Sequence, residues 1–186
     1  MIFSRPGTCV KIRFTICVLI ATISSPLCYA DVDKDKQADI LMLALPASAY
    51  LLTLHKHDGE GAWALSRSLG LAAISTLALN SIIDKDSPNG NSSDAFPSGH
   101  TAIAFSSAAF MQRRYGWRSG VPAYVVASYV GWLRVETDDH DSADVIGGAA
   151  LGILSSYLLT RAFDDNIRAS AWTDGKSAGL QILVQW

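Results

Sequence analysis

Between residues 40 and 163, five apolar stretches of helical length follow one another, each closed by polar or turn-forming residues, a pattern that favours helices over strands. They cover about 40–54, 62–83, 98–114, 122–135 and 142–163, with Pro46 inside the first and Arg67 interrupting the second. None reaches about 18 residues free of charge and strongly polar groups, so they fit either a buried bundle or short, weakly hydrophobic membrane helices. The predicted fold is therefore all-α, a bundle of five to six helices. A turn signal at Asp174 and Gly175 then precedes a short β-like tail ending at Trp186. Gly116 and Gly120 bracket the expected turn between the third and fourth helices, and the polar run 84–94 is a loop.

The chain has 186 residues, 49% hydrophobic and 17% charged, with 15 basic against 17 acidic side chains. This excludes a basic nucleic-acid binder and a disordered tail. Cys9, Cys17 and Cys28 all fall within the first 30 residues, where Arg5, Lys11 and Arg13 precede a short apolar run and small residues flank a cleavage site at Ala30. Residues 1–30 are thus expected to be a signal peptide. Export would leave a cysteine-free chain with 12 basic and 17 acidic residues, facing the periplasm or the periplasmic side of the inner membrane. The expected organisation continues with a polar leader at 31–38, a helical domain at 39–165 and a tail at 166–186. The leader starts like a calcium loop, but Lys36 and Met42 stand where the turn glycine and the bidentate glutamate belong, so it is read as solvated. His55 and His57 are read as exposed residues past the first helix.

Two clusters carry chemistry. In the first, Pro97-Ser98-Gly99-His100 opens the third helix. A helix N-terminus offers unpaired N–H groups and partial positive charge; Gly99 lets a phosphate approach them, and Ser98 and His100 add donors. Pro and Ser also serve as ordinary helix-start residues, but the histidine has no capping purpose. In the second, Arg134 precedes His140 and Asp144. Four residues apart, the latter two share a helical face, so the carboxylate can fix the ring tautomer that leaves the other nitrogen free to attack. Arg134 brings a forked cation suited to phosphate oxygens. Asp138, Asp139 and Asp141 are read as helix-start acids that favour the dipole. A metal site built from one histidine and several carboxylates is disfavoured by the adjacent arginine, so no metal and no cofactor are expected.

These residues resemble the type 2 phosphatidic acid phosphatase (PAP2) and vanadium haloperoxidase superfamily: P-S-G-H over 97–100 and R-x5-H-x3-D over Arg134, His140 and Asp144. The run 113–117 and the Gly147-Gly148-Ala149 sequence are also similar to its bacterial members, and the resemblance spans residues 39–163. It implies an all-helical core and a phosphatase acting on a monoester or diphosphate, of a lipid or a small ester, through a phosphohistidine. His140 would be the nucleophile, Asp144 its orienter and His100 the general acid, while Arg134, Ser98 and Gly99 would hold the phosphate. The family's first motif, K-x6-R-P, is degenerate here: with its proline on Pro88, Asn80 and Ser87 replace both cations. Lys85 either reaches the same oxygens from the loop or is a solvated lysine between Asp84 and Asp86. The alternative reading is a catalytically impaired homologue that binds phospholipid or phosphate. The Lys-to-Asn and Arg-to-Ser departures favour that alternative; the retained nucleophile and orienter favour the enzyme.

Overall fold

The computed structural model describes residues 33–90, 93–163, 167–173 and 178–184, so the expected signal peptide, its cysteines, the Asp174-Gly175 turn and Trp186 lie outside the described residues. Five α-helices are present among them: α1 Lys34–His55, α2 Gly59–Asn80, α3 Gly99–Tyr115, α4 Trp117–Glu136 and α5 Ser142–Leu159. Two strands, β1 Ile167–Thr173 and β2 Ala178–Val184, pair antiparallel from Ile167 opposite Val184 to Thr173 opposite Ala178. The helical expectation holds, and the β-like tail is a hairpin whose first strand lacked a clear sequence signal.

Helix starts follow local chemistry. The Asp58 side chain caps α2 by accepting from the Gly61 amide at 2.8 Å. At α5, Asp141 accepts from the Ala143 and Asp144 amides while Asp144 accepts from the Asp141 amide, a reciprocal capping box. α3 ends at Gly116, whose φ of +85° is open to glycine at little cost, and α4 begins on the next residue. The fourth helix therefore starts five residues before Pro122. Gly120 belongs to that helix rather than to a turn, packed so closely that a Cβ would lie 2.4 Å from the Gln112 Cβ.

The polar leader is also corrected. Asp33 caps α1, and residues 34–39 are its first turns rather than a separate solvated segment. Their charges find partners on other elements: Lys34 pairs with Glu136 at 2.8 Å, and Asp35 and Asp39 face Arg134 and His100. His55 and His57 are exposed, as expected.

α3 is the central helix and packs against the other four. Its interface with α5 is backbone to backbone. A Cβ on Gly148 would sit 2.4 Å from the Ser98 carbonyl oxygen, and one on Gly152 would fall closer still to that of Ala102. Ser156 donates to the Ser106 carbonyl across the same contact at 2.6 Å. The interior is built largely from small side chains, among them Ala49, Ala64, Ala104, Ala108 and Ala127, with buried Ser68, Ser106 and Ser107, whereas Leu43, Leu51, Leu54, Ile74, Leu77 and Leu158 point outward. Small residues inside and large apolar residues outside is the packing of helices in lipid, where close backbone approach replaces the hydrophobic drive. α1, α2 and α5 are long and apolar enough to cross a membrane.

Candidate active site

At one end of the bundle, the α2–α3 loop, the start of α1, the end of α4 and the start of α5 converge. The Ser98 amide donates to the Asp144 carbonyl at 3.0 Å, and His140 Nδ1 donates to the Ala95 carbonyl at 2.8 Å, so the two motifs are joined by direct hydrogen bonds. Because a carbonyl only accepts, Nδ1 carries the proton and Nε2 keeps its lone pair. Burial first, then the Arg134 charge, holds the His140 pKa below the ordinary histidine value, which favours the neutral, nucleophilic ring.

The expected His140–Asp144 contact is present but secondary, with Nδ1 3.7 Å from Asp144 Oδ2. The reason is local. His140 precedes the N-cap of α5 rather than lying in the helix, and Asp144 Oδ2 is committed to the capping box. Its other oxygen, Oδ1, lies 2.5 Å from Lys85 Nζ, which also pairs with Asp141 Oδ2 at 2.7 Å. Lys85 is thus not a solvated loop lysine. Partial burial works against its charge, but the Asp141 and Asp144 carboxylates outweigh it and hold its pKa above the ordinary range. In this structure Lys85 supports Asp144.

Arg134 is mostly buried, with Nη2 2.8 Å from Asp139 Oδ2 and Nη1 3.5 Å from Asp35 Oδ1. Its Nε is buried without a hydrogen-bond partner among the described residues. Asp139 also accepts from Thr137 and from Asn89, at 2.7 and 2.8 Å. Burial pushes the Asp139 pKa up, but these donors and Arg134 bring it below the ordinary carboxylate range. The reading of Asp139 and Asp141 as dipole acids is therefore too weak: one anchors Arg134, and the other caps α5 and holds Lys85.

Ser98 occupies the N-cap of α3 without making a side-chain cap, and its fully buried hydroxyl accepts from Thr101 Oγ1 at 3.1 Å. The first amides of α3, from Gly99 onward, lie at the end of a helix where intrahelical partners are lacking. His100 Nε2 lies 2.7 Å from Asp39 Oδ1. At the positions of the family's first-motif cations, Asn80 donates to the Asp94 carbonyl at 3.1 Å and Ser87 is buried, donating to Asn89 Oδ1. Neither brings charge to the site. Among the described residues no three of His, Cys, Asp and Glu are grouped to hold a metal ion. Asp35 and Asp39 were missed from sequence because only the chain path of α1 brings them here.

The helical bundle and the paired motifs define a PAP2-type architecture. The PAP2 superfamily profile matches residues 75–168, half of the chain, and the protein belongs to that superfamily. It is 43% identical over 74 residues to a lipid A 1-phosphatase of Porphyromonas gingivalis, a match covering 38% of this chain and 17% of that protein. It is 30% identical over 115 residues to a lipid A 4'-phosphatase of Helicobacter pylori, covering 52% of this chain and 58% of that protein. The chain thus spans less than two thirds of either relative's length. The crystal structure of Aquifex aeolicus LpxE superposes with a TM-score of 0.53 at 20% identity, over 64% of this chain and 83% of that one, a likeness of fold.

Proposed function

We propose that the protein is a membrane-associated phosphatase that removes a phosphate from a lipid, of the phosphorylated glycolipid kind on which its lipid A phosphatase relatives act. The observation that carries this reading is the junction of the two motifs, in which Ser98 and Ala95 are bonded to Asp144 and His140. It leaves His140 Nε2 as the ring nitrogen not engaged in that junction, at the end of the bundle where α3 begins and Arg134 lies.

In the proposed reaction, His140 Nε2 attacks phosphorus, an N–P bond forms, and the bond to the leaving oxygen breaks as His100 gives that oxygen a proton. Water then attacks the phosphohistidine, His100 takes one of its protons, and inorganic phosphate departs as the N–P bond breaks. Arg134 and the α3 amides at Gly99 hold the phosphoryl oxygens, with Ser98 setting the helix start; Lys85 and Asp144 hold the floor. The apolar exterior supports a bilayer setting, and the sequence of residues 1–30 supports export to the periplasmic face.

A second reading, a phospholipid or phosphate binder without turnover, is favoured by one observation: both cations near the site are already paired with carboxylates, Arg134 with Asp139 and Lys85 with Asp141 and Asp144. Phosphate release by the purified protein separates the two, using vesicles or micelles of lipid A, phosphatidate and phosphatidylglycerophosphate beside soluble esters, with and without chelator. Release from a lipid phosphate supports the enzyme. Lipid binding with no release from any substrate supports the binder.

A further inference from the structure

We propose that Asp39 is a positioning residue for His100, forming a carboxylate–histidine pair that fixes the ring tautomer and directs Nδ1 to the leaving oxygen. The proposal rests on the phosphatase reading above. Asp39 Oδ1 lies 2.7 Å from His100 Nε2, and a carboxylate only accepts, so the nitrogen facing it carries hydrogen. The other ring nitrogen, Nδ1, is then the one left to exchange a proton with substrate and water. Nδ1 gives its proton from the doubly protonated ring to the leaving oxygen and takes one back from the attacking water, while Nε2 stays protonated against Asp39 throughout the cycle.

Three features argue that this contact is built rather than incidental. Asp39 is the sixth residue of α1, beyond the first turn in which a helix dipole favours an acid, so its place is not explained by helix electrostatics. Asp35 lies one turn earlier on the same face and meets Arg134, so one face of α1 addresses the catalytic groups of both motifs. The Lys34–Glu136 pair joins that start to the end of α4.

The test exploits leaving-group chemistry. A general acid matters for an alkyl or sugar leaving group and little for p-nitrophenolate, which departs without a proton. In full-length protein in detergent, Asp39→Asn should lower kcat on a long-chain alkyl phosphate by about 10- to 100-fold, in the range found for partners that orient a functional histidine. KM should stay unchanged, and the loss on p-nitrophenyl phosphate should be about threefold or less. Asp39→Glu should recover part of the rate, and Asp39→Asn should cost nothing further in a His100→Ala background. Nitrogen-15 NMR of the neutral His100 ring gives a readout independent of turnover: the share of the Nε2-protonated tautomer should be higher in wild type than in Asp39→Asn. Equal losses on both substrates, a rise in rate that would mark Asp39 as a block, or an unchanged ring tautomer would overturn the proposal. Wild type inactive on both substrates and on lipid phosphates would instead overturn the phosphatase reading, and the catalytic role of Asp39 with it.

Discussion

Lys85 Nζ lies 2.5 Å from Asp144 Oδ1, joining positions 59 residues apart and meeting a carboxylate that is completely buried. Removing the lysine would leave Asp144 Oδ1 buried without its cation, with only the Asp141 amide still on Oδ2. Lys85→Ala should therefore lower stability by about 2 to 4 kcal/mol, below the full figure for a buried pair because Lys85 is part-exposed. Turnover should fall by about one to two decades as the α5 start loosens under His140. Thermal unfolding and phosphate release, with Lys85→Arg restoring much of both, check this.

The proposed nucleophile is the neutral His140 ring, whose pKa burial and the Arg134 charge hold below the ordinary histidine value. Protonation therefore removes the nucleophile only under acidic conditions: the acid limb of kcat/KM should have its midpoint below the ordinary histidine value. Arg134→Gln removes a neighbouring cation that disfavours imidazolium, so the midpoint should move up in pH while the maximum rate falls. A pH–rate profile of both proteins reads the shift, and a wild-type midpoint above neutrality would contradict the assignment.

Gly148 and Gly70 make opposite predictions. A Cβ at 148 meets the Ser98 carbonyl oxygen, so Gly148→Ala must push α5 from α3 exactly where the two motifs join; it should cost about 1 to 3 kcal/mol and most of the activity. At Gly70, on α2, nothing lies within 4 Å, so Gly70→Ala should be neutral or stabilising by up to about 1 kcal/mol. Melting temperatures of the two variants decide it.

Restoring the family's first-motif cations tests whether Lys85 has taken their place. Ser87 is buried and hydrogen-bonded to Asn89, so Ser87→Arg forces a loop rearrangement rather than adding a free charge. Asn80→Lys with Ser87→Arg should therefore raise turnover by no more than about tenfold and lower the melting temperature. A rise of several decades with the fold intact would show that the lost cations limit the wild-type site.

The helices and the motif residues were legible because both are written locally: apolar runs bounded by turn formers, and P-S-G-H and R-x5-H-x3-D at fixed spacing. What escaped the sequence is long-range. Nothing near Asp39 or Asp35 announces His100 or Arg134, and the carboxylate partners of Lys85 lie on a helix start that reaches it only through the packing of α5 on α3. For Asp144 the spacing shows its nearness to His140 but not its partners: the capping box and Lys85 take its oxygens, leaving the Ala95 carbonyl to hold the His140 proton. Pro122 misled the start of α4, because a proline in an early turn of a helix removes a hydrogen bond without ending it.

Trapping a phosphoryl group on His140 tests the proposed phosphohistidine route directly. Wild-type protein incubated with a labelled lipid phosphate and quenched in alkali and denaturant should retain an acid-labile phosphoryl group that peptide mapping places on His140. His140→Ala should retain none and release no phosphate, whereas His100→Ala should still turn over, about two to four decades more slowly. Full phosphate release by His140→Ala, or a phosphoryl group mapped to another residue, would contradict the account.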